Sequence, residues 1–181
     1  MIRAFLALDP PEDIRARLTV LQFLLPLPRR VDPADFHLTL TWLGEVPDPV
    51  LATLDDDLSG LRAAPFALNL ASVGLFGGGA PRAVWAGLAP CEPLTRLQAR
   101  TDRLARQAGA RIEARRFLPH VTLGRFAPPA PDAALRLERA VVAEAGFRAG
   151  PWPVTTLTLF RSWPSVREGP RYERLADYPL V

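Results

Sequence analysis

Two short stretches decide the fold: Phe36-His37-Leu38-Thr39-Leu40-Thr41-Trp42-Leu43, and Pro119-His120-Val121-Thr122-Leu123-Gly124-Arg125. The chain holds 2 histidines, and each opens the same frame, His-x-Thr-Leu. Only ten of the 181 residues are threonine. Finding one two places after both histidines by chance has a probability of roughly 0.003. Both stretches are rich in β-branched and aromatic residues and predict strands over Phe36–Leu43 and within Phe117–Phe126. On a strand, residues i and i+2 share a face, so each imidazole stands beside a hydroxyl while the intervening apolar residue points into a core. Two half-buried strands with incidental polar residues would explain one such frame. Packing does not require it twice.

Outward from these frames, Ile2–Leu8 alternates as a strand, and Asp9-Pro10-Pro11-Glu12 opens a helix with Asp9 as its expected cap. Ile14, Leu18, Leu21 and Leu25 recur at helical spacing, so that helix runs to about Leu25; prolines 26, 28 and 33 then make a loop. Pro47-Asp48-Pro49 starts a second helix over Val50–Leu61. Strands Phe66–Val73 and Arg82–Leu88 flank the turn Gly77-Gly78-Gly79. Helices follow over Glu92–Ala108 and Pro131–Ala145, with final strands over Val154–Phe160 and near Tyr172–Leu175. Paired strands alternating with helices, twice over, predict an α+β fold with antiparallel sheets in two approximately repeated halves. No polar linker divides them, so residues 1–181 are expected to form one domain.

Composition narrows the function. Lysine is absent and the basic residues are all arginine, which excludes a Walker A phosphate loop, a Schiff-base amine and a lysyl-AMP ligase. The single cysteine, Cys91, excludes an internal disulfide framework and multi-thiolate metal sites. Neither a signal peptide nor a long apolar run is present, so the expected compartment is the cytoplasm, with no membrane association. Residues 1–90 carry 7 Arg against 10 Asp/Glu; residues 91–181 carry 15 Arg against 9. A basic half points to a polyanionic partner. Two histidines with no carboxylate nearer than Asp35 and Glu45 make a poor metal sphere, so no metal is expected.

Facing imidazoles suit acid–base chemistry at phosphorus. In-line displacement puts the attacking and leaving oxygens on opposite sides, so one neutral imidazole can take a proton while a charged one gives it. Thr39 and Thr122 can donate to the equatorial oxygens, and Arg125 can add a fork of charged donors, unless it makes a surface salt bridge. Phe36, Trp42, Phe76 and Trp85 are candidate base-stacking residues against a core role. Arg111, Arg115 and Arg116 are candidate phosphate contacts against an exposed basic turn.

The two frames resemble those of the two-histidine (2H) phosphoesterases, specifically the RNA 2′,3′-cyclic phosphodiesterases also called 2′-5′ RNA ligases. The likeness extends through Arg3-Ala4-Phe5-Leu6-Ala7-Leu8, Leu43-Gly44-Glu45-Val46, Arg82-Ala83-Val84-Trp85-Ala86-Gly87, and Tyr172 to Leu180. Thr41 stands where the family often has a basic residue and Trp42 where it often has Phe, a departure expected to alter RNA contacts. The resemblance implies a bilobal fold of two pseudo-symmetric lobes of antiparallel sheet with flanking helices and a central basic cleft. It implies cofactor-free, metal-independent hydrolysis of RNA 2′,3′-cyclic phosphate ends to 2′-phosphates. It makes His37 the proton donor and His120 the acceptor, with Thr39, Thr122 and Arg125 on the phosphate. ATP-independent 2′-5′ joining, of tRNA halves for example, would use the same groups in reverse. Two alternatives remain open on the residues: a non-catalytic RNA- or nucleotide-binding module, and a phosphodiesterase for a small cyclic nucleotide. One cleft suffices for either chemistry, so a monomer is expected.

Overall fold

The computed structural model describes residues 1–114, 116–163 and 171–181. Eight strands form one antiparallel sheet: β1 (Ile2–Leu8), β2 (Leu38–Val46), β3 (Phe66–Phe76), β4 (Ala83–Leu88), β5 (His120–Arg125), β6 (Ala149–Val154), β7 (Thr156–Trp163) and β8 (Arg171–Pro179). Their order is β6-β3-β4-β5-β2-β1-β7-β8. Four helices accompany them: α1 (Glu12–Leu24), α2 (Asp48–Ser59), α3 (Glu92–Gln107) and α4 (Pro131–Ala143). The α+β expectation and the two-lobed, antiparallel architecture hold.

The repeat is interleaved differently from the sequence halves. The first two and last two strands make one lobe, and β3 to β6 make the other. A pseudo-twofold exchanges β2 with β5, β1 with β4, β7 with β3 and β8 with β6. The lobes meet where β2 and β5 pair through a single residue couple, Leu38 with Val121. Farther along, β5 pairs instead with the 30–31 segment: Arg30 bridges Gly124, and the Val31 amide donates to the Leu123 carbonyl at 3.0 Å. Gln22 of α1, 4% exposed, donates to the carbonyls of both Val31 and Leu123 at 2.7 and 2.8 Å. A buried amide satisfied this way rivets the break from the helical side.

The apolar spacing read from the sequence faces the core. Ile14, Leu18 and Leu21 of α1, and Leu51, Leu54 and Leu58 of α2, pack with Leu6, Leu8, Leu38, Leu40, Val121 and Leu123. Burying each such side chain contributes about 1.5–3 kcal/mol. The opposite face of the sheet carries a small separate aromatic cluster of Phe5, Ala7 and Phe160 with Tyr172 against it. That face holds the histidines.

Some local expectations change. Asp9 does not cap α1: the residue before the helix is Pro11, without a side-chain cap, and the Asp9 carboxylate instead accepts from Arg15 and Arg174. The strand over Val154–Phe160 is two strands, β6 and β7, with β6 carrying Pro151 and Pro153 at the sheet edge, where missing N–H groups break no central ladder. Strand β2 runs on to Val46 through a bulge in which Gly44 takes φ +68°, a conformation glycine adopts without steric cost.

Candidate active site

The single Leu38–Val121 couple sets the register of the site. In that register His37 lies across from Thr122 and Thr39 across from His120. Each imidazole therefore has one hydroxyl beside it on its own strand and another facing it across the seam. All four residues are half-buried.

Both rings are held identically. Nδ1 of His37 lies 2.7 Å from the Asp35 carbonyl oxygen, and Nδ1 of His120 lies 2.7 Å from that of Leu118. A carbonyl only accepts, so each Nδ1 carries the hydrogen and each Nε2 is the nitrogen left for chemistry. Burial lowers the proton affinity of both. It pushes His37 down to about 4, against the opposing pull of the Asp35 carbonyl and with help from the Arg125 guanidinium. His120 is lowered by burial and by Arg125, again opposed by its carbonyl. Both shifts favour the neutral ring.

Arg125 is five residues past His120, and strict alternation would turn it to the opposite face. The β4–β5 ladder shifts between Val84 and Trp85, pairing Trp85 with Thr122 and Ala83 with Arg125. The bulge returns Arg125 to the face of His120 and Thr122. There its charge acts on His37, His120 and Tyr172 together. The matching shift in β1–β2, pairing Ala7 with Thr39 and Phe5 with Trp42, puts Trp42 at the pseudo-equivalent place in the other lobe.

Aromatic rings wall each histidine. Phe5 lies 4.8 Å from the His37 ring centroid, and Tyr172 meets it edge-on at 4.9 Å and 84°. On the other side Phe76 meets His120 edge-on at 5.0 Å, and Trp85 lies at 6.1 Å. The Trp85 indole lies across two glycines, Gly74 of the neighbouring β3 and Gly87 of its own strand. A Cβ on Gly74 would fall 2.3 Å from its Cζ2, and one on Gly87 would fall 2.6 Å from its Cζ3. Its Nε1 is buried without a hydrogen-bond partner among the described residues.

Of the stacking candidates, Phe36 is excluded: it is buried in the helix-side core. Phe76 and Trp85 face His120, and Trp42, 40% exposed, stacks on Phe5 at 5.5 Å with the Arg3 guanidinium 5.1 Å from its ring. Thr41 does not reach the cleft. The bulge turns it to the helical face, where its hydroxyl lies 2.8 Å from that of Thr101 and donates to Asp102 at 2.7 Å. Arg111 and Arg116 are exposed in the coil before β5, while Arg115 lies outside the described residues. The residues that sequence reasoning did not single out are Phe5, Tyr172 and the two carbonyl-bearing positions, Asp35 and Leu118. Backbone acceptors leave no residue-type signal. Among the described residues, no three His, Cys, Asp or Glu side chains group as a metal site requires, and no helix is long and apolar enough to cross a membrane.

Comparison with known proteins follows the same lines. Residues 10–162 match the family model described as the 2′-5′ RNA ligase superfamily. An "RNA 2′,3′-cyclic phosphodiesterase" of Geobacillus stearothermophilus is 32% identical over 87% of this chain, which spans only 49% of that longer protein. A protein of the same name from Thermus thermophilus is 34% identical, covering 99% of this chain and 90% of the relative. The crystal structure of Escherichia coli LigT with 3′-AMP superposes with a TM-score of 0.79 at 28% identity, covering 99% of this chain and 98% of that one.

Proposed function

We propose that this chain, which belongs to the 2′-5′ RNA ligase superfamily, hydrolyses 2′,3′-cyclic phosphate at RNA 3′ ends to a 2′-phosphate. The observation that carries the reading is the matched pair of Nδ1–carbonyl bonds, which leaves two Nε2 nitrogens on one face among two threonines and an arginine. The relatives' names support the substrate.

Water beside His120 gives a proton to Nε2 as its oxygen bonds to phosphorus. The P–O3′ bond breaks, and Nε2–H of His37 gives its proton to O3′, leaving a 2′-phosphomonoester and a 3′-hydroxyl. His37 ends neutral and His120 charged, and exchange with solvent resets both. The family resemblance gives His37 the donor's part, and its burial, which lowers its proton affinity, opposes that part until substrate binds. The bound phosphate supplies the negative charge that raises its affinity enough to be charged. The hydroxyls of Thr39 and Thr122 and the Arg125 fork donate to the phosphoryl oxygens, where charge collects. A 5′-hydroxyl in place of water gives 2′-5′ joining by the same route, as with tRNA halves. No step requires metal or cofactor. The whole chain acts as one bilobal monomer, in a cytoplasm where a lone thiol such as Cys91 stays reduced.

The test is a short RNA ending in 2′,3′-cyclic phosphate, incubated in EDTA with wild type, His37→Ala and His120→Ala. Wild type should yield a product resistant to a 3′-specific phosphatase, and each variant should lose about 10²- to 10⁴-fold in rate. Turnover retained in either variant rejects the two-histidine mechanism. RNA bound without turnover makes the chain a binding module, and turnover only of a small cyclic nucleotide reassigns the substrate.

A further inference from the structure

The two histidines are held alike, but the carbonyl behind His37 belongs to a braced turn. Asp35 closes a single 3-10 turn, Pro33–Asp35, in which the Asp32 carboxylate accepts from the Ala34 amide at 2.9 Å and the Phe36 amide donates to the Pro33 carbonyl at 3.2 Å. Onto this turn reaches Arg15, from the first turns of α1. Its Nη1 donates to the Pro33 carbonyl, and its Nη2 donates to Asp9 Oδ1 at 2.6 Å and to the Pro10 carbonyl at 3.2 Å. The other Asp9 oxygen accepts from Arg174 of β8, whose Nη1 is held by Asp177 at 3.0 Å. Two residues earlier on β8 stands Tyr172, edge-on to the His37 ring. The Leu118 carbonyl behind His120, by contrast, sits in a coil next to a side chain 45% exposed.

The Arg15 side chain is 16% exposed and Asp9 29%, so the pair is partly desolvated and its hydrogen bonds are charge-assisted. A planar guanidinium meets the three acceptors, Pro33 O, Pro10 O and Asp9, in one rigid fork; an ammonium is a point charge that cannot keep all three in place. A surface arginine on an amphipathic helix has no need of such partners.

We infer that Arg15, locked by Asp9, is a positioning residue for His37: it fixes the Pro33–Asp35 turn, so that the Asp35 carbonyl holds the His37 ring with Nε2 toward the reacting phosphate. The brace acts on one imidazole and not on the other, giving a nearly symmetric pair of frames a structural handedness. As a statement about turnover it rests on the phosphodiesterase reading above.

The experiment reads the ring nitrogens directly. ¹⁵N–¹H correlation spectra at pH 7 of wild type, Arg15→Met, Arg15→Lys and Asp9→Asn report the tautomer of each histidine without substrate. Steady-state kinetics on the cyclic-phosphate RNA are run beside them. Arg15→Met should shift His37 from a single Nδ1–H tautomer to a mixture and leave His120 unchanged, with kcat down about 10- to 100-fold and KM within about twofold. Arg15→Lys should recover part of both effects. Asp9→Asn, which keeps the side chain's size and removes its charge, should reproduce a weaker version of the same selective change. An unchanged His37 tautomer in folded Arg15→Met or Asp9→Asn overturns the inference, as does an equal response of both rings. Absence of turnover in wild type refutes the phosphodiesterase reading alone, since the ring spectra still decide the brace.

Discussion

Replacing Gly74 with alanine tests the geometry around His120. The new Cβ would sit 2.3 Å from Cζ2 of Trp85, 2.6 Å from Cη2 and 2.8 Å from Cε2, so it meets the body of the ring rather than a mobile tip. Ordinary carbon contacts begin near 3.5 Å, so the indole must rise by about 1 Å. The strands behind it are fixed by the β3–β4 ladder, in which Gly74 pairs directly with Trp85. The ring can move only off the sheet, toward the face where His120 lies 6.1 Å away. Overpacking of this kind costs about 1–3 kcal/mol, or several degrees in Tm for a domain of this size. Displacement of about 1 Å beside a reacting nitrogen can cost about 100-fold in rate. The assay is a cycle of Gly74→Ala, Trp85→Ala and the double variant, each measured for chemical unfolding and for kcat/KM on cyclic-phosphate RNA. Gly74→Ala should lower both in the native background. In the Trp85→Ala background it should cost less than about 0.5 kcal/mol, because the clash has gone. Full stability and activity in Gly74→Ala, or an equal loss in both backgrounds, would refute the placement of the indole across the glycine.

Further outcomes follow from the charges and hydroxyls. An NMR titration of the free protein should show His37 protonating near pH 4, and saturating phosphate should raise that midpoint; a midpoint at the ordinary 6.5 would contradict its burial. The sign for stability follows: the unfolded chain takes up this proton below about 6.5 and the folded one only near 4, so stability falls between those values as pH drops, and His37→Ala should flatten that part of the curve. Arg125→Ala should slow turnover by about 10²- to 10³-fold and raise the proton affinity of both imidazoles, since its charge lowers both; an unmoved His37 would place the guanidinium elsewhere. Thr41→Val should destabilise by about 1–3 kcal/mol by stripping Asp102 and Thr101 of a buried partner, with kcat/KM unchanged; a loss of RNA turnover at equal stability would put residue 41 back on the cleft.

The placement of the two histidines was legible in this sequence because their frame repeats. Two histidines in one frame identify their strands, faces and partners, and the apolar spacing of α1 and α2 identifies their buried sides. What was hidden depends on irregularity or on backbone. Counting by twos from His120 turns Arg125 away, and only the bulge between Val84 and Trp85, set by pairing with a strand some forty residues earlier, turns it back. The same kind of shift in β2 sends Thr41 to the helices, against the expectation that it would meet RNA. Pro151 and Pro153 argue against a strand until β6 is known to be an edge. Asp9 has the chemistry of a helix cap and stands where a cap belongs, yet two arginines, one from the far end of the chain, compete for it. Interleaving of the lobes was equally hidden, since nothing local tells β7 to join β1.

The break in the sheet has a mechanical consequence. A ladder of hydrogen bonds stiffens a sheet against folding along its strands, and here the ladder narrows to Leu38 and Val121. Each lobe behaves as a stiff plate, and the line between them is a crease, latched on its helical side by Gln22 and Val31. Along that crease the two plates are joined by fewer strand-to-strand bonds than either has within itself. The histidines stand one on each plate, immediately at the fold line, so the angle between the plates sets the gap between the two imidazoles.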